Sequence, residues 1–112
     1  MEFILYCVDK PNRDMLRSTL RVPHLRYISH RQHAFRYGGP MLDETGRPCG
    51  SLMILDLPDR AALRAHMEGD PYFGADLFES VKIWATRQVM PETQPGGLER
   101  ELTAAVQAEH RG

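Results

Sequence analysis

A histidine in an amphipathic segment is the residue of this chain best placed for acid–base chemistry. His24 follows Leu20 by four residues, and Leu20 follows Leu16 by four, so the three side chains share one face of a predicted helix. On that apolar face the imidazole needs a hydrogen-bond partner, because an unpaired buried polar group costs about 1–3 kcal/mol. A carboxylate partner would leave the other ring nitrogen free to act as a general base. A backbone carbonyl partner would make His24 a structural core residue.

Asp70 and Ser51 are the other polar residues that could enter such a site. Asp70 precedes Pro71, where aspartate often starts a turn, so its carboxylate either forms that turn or pairs with the histidine. Ser51 opens a predicted strand, and its hydroxyl either serves a pocket or simply ends the strand. His30 and His33 flank the end of the predicted helix, and we expect both to face solvent.

Three kinds of partner are not expected from the sequence. The chain has no glycine-rich dinucleotide or phosphate-binding motif, so no cofactor is predicted. Its two cysteines and five histidines lack the spacing of a structural zinc site, so no metal is predicted. The formal net charge of -1, from 14 basic and 15 acidic residues, argues against a nucleic-acid partner.

A run of arginines marks the predicted first helix and the segment after it. The arginines step by four or five residues with few acidic residues between them: Arg13, Arg17, Arg21, Arg26, Arg31 and Arg36. Two interpretations stay open. The arginines can form the solvated side of a helix, or they can provide a site for an anionic ligand or partner.

The composition is that of one folded domain in a reducing compartment. A chain of 112 residues, 42% hydrophobic and 26% charged, can bury one core without disulfides. Cys7 lies in an apolar run and is expected to be a buried, inert thiol, whereas Cys49 follows a Gly-Arg-Pro turn and should be more exposed. Unpaired thiols suit the cytoplasm. No apolar run approaches a membrane span, and the N-terminus has no signal-peptide pattern, so we expect a cytoplasmic protein without membrane partners.

Hydrophobic periodicity and turn residues divide the chain into elements. We predict strands at residues 2–8, 34–40, 51–57 and 78–89, and helices at about 13–32, 58–68 and 98–110. A loop is predicted at residues 41–50, and a short turn or helical piece at residues 71–77. Pro23 should kink or split the first helix, because it removes a hydrogen bond and clashes with the preceding turn. The predicted domain spans residues 1–90, and residues 91–112 form a linker and helical tail.

The order of strands and helices is βαββαβ, which predicts an α+β, ferredoxin-like fold with an antiparallel sheet. Helices can cover only one face of that sheet, and the other face still carries apolar residues. A second subunit is the simplest cover, so a homodimer is expected. The alternative is a monomer whose C-terminal helix folds back over this face.

Four short motifs, in order, resemble those of the YCII-related family. They are the apolar strand EFILYCV at residues 2–8, His24-Leu25-Arg26-Tyr27, Gly38-Gly39-Pro40 followed by Gly50-Ser51, and Asp70-Pro71-Tyr72 with Ala75. The resemblance covers roughly residues 1–89. Two departures stand out: Pro23 directly precedes the histidine, and Asp76 stands where the family has glycine.

The resemblance implies a dimeric α+β barrel with a pocket that contains a histidine and an aspartate, here His24 and Asp70. Gly39, Pro40, Ser51 and Tyr72 are the residues expected to bind a small-molecule ligand. The implied function is an enzyme that uses the His/Asp pair for general acid–base chemistry, in a hydrolytic or elimination step on a small molecule. The alternative is a non-catalytic module that binds a small ligand or serves as an accessory subunit.

Overall fold

Four antiparallel strands form a single sheet, and helices cover one of its faces. The computed structural model describes residues 1–111. Its elements are β1 (Glu2–Asp9), α1 (Asp14–Ser29), a 3₁₀ turn (Gln32–Ala34), β2 (Phe35–Leu42), β3 (Pro48–Asp56), α2 (Arg60–Gly69), α3 (Pro71–Gly74), β4 (Phe78–Thr86) and α4 (Gly97–Arg111). The strand order is β2-β3-β1-β4, and each neighbouring pair is antiparallel. This arrangement confirms the predicted α+β, ferredoxin-like fold.

Alternation along the strands places the core on the helix side of the sheet. Leu5 of β1 pairs with Met53 of β3 and with Ile83 of β4, so the three side chains share that side. The buried core cluster consists of Phe3, Leu5, Cys7, Met53, Leu55 and Leu63. Removing a large apolar side chain from water contributes roughly 1.5–3 kcal/mol, so this cluster is the main stabilising feature of the sheet.

The opposite face of the sheet, here called the open face, is apolar and uncovered in one chain. Ile4 pairs with Ile54 on one side and with Trp84 on the other. Tyr6, Tyr37 and Trp84 on this face are 43%, 50% and 62% exposed. The second apolar face predicted from the sequence is therefore present, and within one chain it meets solvent.

The first helix is continuous although Pro23 lies inside it. α1 extends from Asp14 to Ser29, so the predicted split at Pro23 is wrong, and the helix ends before the predicted boundary near Gln32. Proline removes only one backbone donor, and α1 buries Arg17 and His24 on either side of Pro23. Tertiary packing of this face outweighs the local cost of the proline.

The hairpin of β2 and β3 is longer than predicted. β2 continues to Leu42 and β3 begins at Pro48, whereas residues 41–50 were predicted to be a loop. Asp43 closes the short turn, because its Oδ1 accepts hydrogen bonds from the N–H groups of Thr45 and Arg47 at 2.8 and 3.1 Å. A hydrogen bond from the Thr45 hydroxyl, followed by these two from the backbone, holds the pKa of Asp43 below its ordinary value. The side chain of Asp43 thus closes a tight turn, so that β2 and β3 pair over residues that the turn-forming residues of the sequence had assigned to a loop.

A close approach between α1 and the end of α2 positions the segment that follows α2. Asp59 caps α2, since its Oδ1 accepts a hydrogen bond from the N–H of Ala62 at 2.8 Å. At the other end, a Cβ on Gly69 would lie 2.6 Å from the hydroxyl of Tyr27. That hydroxyl donates to the backbone carbonyl of His66 at 2.8 Å. Only glycine leaves room for this contact, which sets the end of α2 against α1.

The C-terminal helix has no buried core face along its described length. β4 ends at Thr86, earlier than predicted, and no residue of α4 is buried. Arg87 forms a surface ion pair with Glu101. Leu98 and Leu102 are 43% and 61% exposed. Among residues 1–111, no helix has the length and apolar character needed to cross a bilayer.

Candidate functional site

The imidazole of His24 lies against the carboxylate of Asp70. His24 Nδ1 is 2.8 Å from Asp70 Oδ1, and the two residues are 46 positions apart in the chain. Their side chains are 10% and 0% exposed. Because an ionised carboxylate can only accept, the proton is on Nδ1, and Nδ1–H donates a hydrogen bond to Asp70. The partner of His24 is thus a carboxylate rather than a backbone carbonyl.

Asp70 belongs to the turn and to the pair at the same time. It ends α2 and caps α3, because its Oδ1 also accepts a hydrogen bond from the N–H of Tyr72 at 3.0 Å. Its Oδ2 is buried and has no hydrogen-bond partner within residues 1–111. Turn formation therefore fixes the orientation of the carboxylate, and His24 supplies the side-chain hydrogen bond that this buried group receives.

Tyr72 holds the plane of the imidazole. Its ring stacks on His24 with centroids 3.8 Å apart and an interplanar angle of 11°. On this ring also lies the guanidinium of Arg17, whose Cζ is 4.8 Å from the centroid. Tyr72 is itself 1% exposed. A ring packed in this way restricts rotation of His24, so Nε2 keeps one direction.

Arg17 is a buried member of the site that the sequence indicated only as one of the arginines in the run. Its Nε donates to Asp9 Oδ2 at 2.8 Å, and its Nη2 donates to Ser51 Oγ at 2.6 Å. It is only 6% exposed, so it does not lie on a solvated helix face. Its position seven residues before His24, or two helical turns, is the signal that could have revealed it. Asp9, at the end of β1, carried no comparable signal.

These groups border a cavity of about 180 Å³, here called the dyad cavity. Five of the predicted site residues line it: His24, Gly39, Pro40, Ser51 and Tyr72. Asp70, the sixth, lies behind the imidazole and is 1% exposed. The rest of the wall is formed by Arg17, Arg21, Leu25, Ile28, Phe35, Gly38 and Met53. The structure therefore brings all six predicted residues to one place.

Two further buried groups lie near the pair. His66 is fully buried, and neither of its ring nitrogens has a hydrogen-bond partner within the described chain. Burial, followed by the charge of Arg31, lowers the pKa of His66. Burial raises the pKa of the Cys7 thiol to about 12, and the charge of Asp70 adds to this effect. Cys7 is thus a neutral thiol, as an inert core cysteine should be.

The remaining residues singled out in the sequence lie away from the cavity. His30 and His33 are exposed, as predicted. Asp76, the departure from glycine, has no positive φ and forms surface ion pairs with Lys10 and Arg13. These pairs join the loop after β1 to the loop before β4. Among residues 1–111, no group of three His, Cys, Asp or Glu side chains could hold a metal ion.

A larger groove of about 580 Å³ lies between α2, α3 and β4. Its lining consists of Arg60, Leu63, Arg64, Met67, Glu68, Phe73, Gly74 and Ile83. It has no histidine, and its one carboxylate, Glu68, is exposed, so it lacks the buried acid–base pair found beside the dyad cavity. The dyad cavity is the candidate site because it combines buried polar groups with an accessible wall.

The chain belongs to the YCII-related family, because residues 1–87 match the YCII-related domain. No curated protein is significantly similar to it. Among solved structures, it is similar to the 5-chloro-2-hydroxyhydroquinone dehydrochlorinase TftG from Burkholderia phenoliruptrix AC1100 in complex with 2,5-dihydroxybenzoquinone. The identity is 24%, the TM-score is 0.73, and the match covers 79% of this chain and 95% of that chain.

A second solved structure shares the fold at lower identity. It is a protein from Bacteriodes thetaiotaomicron VPI-5482 described as an antibiotic biosynthesis monooxygenase, with 12% identity and a TM-score of 0.56. The match covers 84% of this chain and 93% of that chain. At these identities the similarity establishes a common fold, and the site has to be interpreted from its own residues.

Proposed function

We propose that this protein is an enzyme in which His24, oriented by Asp70, moves a proton to or from a small organic molecule in the dyad cavity. The observation that carries the proposal is the 2.8 Å contact between His24 Nδ1 and the buried Asp70 Oδ1 at the cavity wall. A histidine whose second nitrogen is held by a carboxylate is the usual arrangement of a general base.

The proton follows from the hydrogen bonds around the imidazole. Asp70 accepts from Nδ1, which leaves the lone pair on Nε2, and Nε2 has no hydrogen-bond partner within residues 1–111. Nε2 would remove a proton from a substrate O–H or C–H group, or from a water molecule. The resulting imidazolium is stabilised by the carboxylate and returns the proton later in the cycle. Typical contributions of such transfer are about 10²–10⁴-fold in rate.

Arg17 and Ser51 would stabilise the negative charge that this step creates. Arg17 is held rigidly by its bonds to Asp9 and Ser51, so it is oriented before a substrate binds. Since Ser51 Oγ accepts from Arg17, its own hydroxyl hydrogen stays available to the cavity, which Ser51 lines. Preoriented donors of this kind act strongly on a charge that develops away from water.

Two reaction classes are compatible with this step. In an elimination, the base removes a proton and a leaving group departs with its bonding electrons from the same substrate. In a hydrolysis, the base removes a proton from the attacking water. The name of TftG, a dehydrochlorinase, supports elimination as the first class to test. A non-catalytic binding module remains the second candidate, because the same cavity could hold a ligand without converting it.

We further propose that the protein is a homodimer in which two open faces pack together. Support comes from Tyr6, Tyr37 and Trp84, three exposed aromatic residues on the open face, because an exposed apolar patch often marks a protein–protein contact. Trp84→Glu should then shift the mass measured by light scattering from dimer to monomer, while Arg64→Glu, on the other side of the sheet, should not. A dimer that persists in Trp84→Glu would contradict this arrangement.

The free thiols of Cys7 and Cys49 favour a cytoplasmic location.

The test of the acid–base role combines a measurement on the free protein with turnover. ¹⁵N NMR of the imidazoles should find His24 as the Nδ1–H tautomer when neutral, and Asp70→Asn should change that tautomer population. His24→Gln should abolish turnover in a screen of halogenated and hydroxylated ring compounds, whereas His30→Gln, an exposed control, should retain it. If the native protein and His24→Gln bind the same compounds and neither protein converts any of them, the binding-module function is correct instead.

A further inference from the structure

The arginine run identified in the sequence separates into arginines with partners and arginines without. Arg13 pairs with Asp76, Arg17 with Asp9, and Arg36 with Asp56. Arg31 lies over the ring of Tyr27, with Cζ 4.6 Å from the centroid. Within residues 1–111, the side chains of Arg21 and Arg26 have no hydrogen bond, ion pair or aromatic partner. Of these two, only Arg21 lines the dyad cavity.

The cavity has a cationic end and an apolar end along α1. Arg17 and Arg21 line its wall near the start of the helix, and Leu25 and Ile28 line it one to two turns later. His24 lies between these two groups. Because a helix rises about 1.5 Å per residue, the charged and apolar ends are separated by roughly the length of a small ring compound with one substituent.

The two charged side chains on the cavity wall are both arginines, and only one of them has a counter-ion. The charge of Arg17 is matched by Asp9, with which it forms an ion pair between side chains that are each 8% exposed. His24 supplies Asp70 with a hydrogen bond and no charge, and Asp70 lies behind the imidazole rather than on the cavity wall. Arg21 is an exposed residue at the cavity edge, and its positive charge has no counterpart on the cavity wall. A ligand that brings a negative charge to this end would complete the site, whereas a cationic ligand would be repelled.

We propose that the ligand of the dyad cavity is a small carboxylic acid with a ring or short apolar body, and that Arg21 binds its carboxylate. This inference rests on the proposed function of the cavity and specifies the class of molecule it accepts. The apolar body would lie against Leu25, Ile28 and Phe35, with the reacting atom beside His24. The available volume of about 180 Å³ suits such a molecule, since a cavity of about 150 Å³ holds a benzene ring.

The test uses benzoate and benzamide, which have nearly the same shape and differ in charge. Binding of each to the full-length protein is measured by NMR titration at neutral pH, where benzoate is ionised. The native protein should bind benzoate about tenfold more tightly than benzamide, the size expected for one partly solvated charge-assisted hydrogen bond. Arg21→Gln should remove this preference. Arg26→Gln is the matched control: it removes the same charge from the same helix outside the cavity and should leave the preference intact.

Each other outcome overturns the inference. Absence of saturable benzoate binding, or equal binding of both probes to the native protein, shows that the cavity does not select an acid. A preference that persists in Arg21→Gln places the anion elsewhere, and a loss that is equal in Arg26→Gln shows a general effect of net charge. Failure here is distinct from failure of the proposed function. The tautomer of His24 can depend on Asp70 while benzoate is not preferred, and benzoate can be preferred by a cavity whose histidine performs no catalysis.

Discussion

Removing the ring nitrogens of His24 while keeping its stacking measures how strongly His24 and Asp70 interact. His24→Phe can preserve the contact with Tyr72, whose ring centroid lies 3.8 Å from that of the imidazole. The substitution leaves Asp70, which is 1% exposed, as a buried carboxylate that retains the N–H of Tyr72 but no side-chain donor. Removing the neutral donor from a buried charged acceptor in this way costs about 1.5–3 kcal/mol in free energy of unfolding.

The same substitution should cost much less once the charge is gone. Asp70→Asn keeps an oxygen that can accept from His24 and Tyr72, so removing His24 from that variant loses one neutral hydrogen bond, about 0.5–1.5 kcal/mol. The difference between the two backgrounds is a coupling free energy of about 1–1.5 kcal/mol. Urea unfolding of the native protein, both single variants and the double variant, at one protein concentration, gives the four values needed.

A control variant gives the result expected when two side chains do not interact. His30→Phe, at an exposed histidine on the same part of the chain, should add to Asp70→Asn without coupling. If His24→Phe and Asp70→Asn also add to within about 0.5 kcal/mol, the two side chains do not interact energetically, and the mechanism built on their contact is wrong.

Three further predictions concern buried groups and the tail. Burial lowers the pKa of His66 from 6.5, so below that pH the unfolded state binds more protons than the folded state. The stability contributed by the neutral His66 is therefore present above pH 6.5 and is lost as pH falls. His66→Phe should show a smaller decrease in urea midpoint on acidification, and an unchanged pH dependence would contradict this. Cys7, with a pKa of about 12, should resist iodoacetamide in the folded protein, while the half-buried Cys49 reacts. Mass spectrometry should then find one modified cysteine in the folded protein and two in urea. Two modified cysteines in the folded protein would show that Cys7 is accessible. A chain ending at Met90 should keep its urea midpoint, because no residue of α4 is buried, and a clear loss would show that the predicted domain boundary is misplaced.

Local patterns were sufficient for the fold and for the inward direction of His24. Alternating apolar residues predicted four strands, and the order of elements predicted the ferredoxin-like arrangement that the sheet has. The helical spacing of Leu16, Leu20 and His24 placed the histidine on the inward face. These inferences succeeded because side-chain direction within one strand or helix depends only on the local backbone period.

Local patterns were insufficient where a distant residue decides. The break expected at Pro23 did not occur, because the sheet side of α1 is packed on both sides of the proline. The loop expected around Asp43 is a short closed turn, because its carboxylate binds the turn backbone.

The sequence by itself determined which side chains were available and which way they point along each element. Tertiary structure alone decided which of them meet. Asp70 could have been only a turn residue, and Arg17 could have been only a solvated cation. The close approach of α1 to the end of α2 brings Asp70 to His24, and the ion pair with Asp9 draws Arg17 into the interior. Contacts across 46 positions depend on packing and on the electrostatics of buried groups, which no local period encodes.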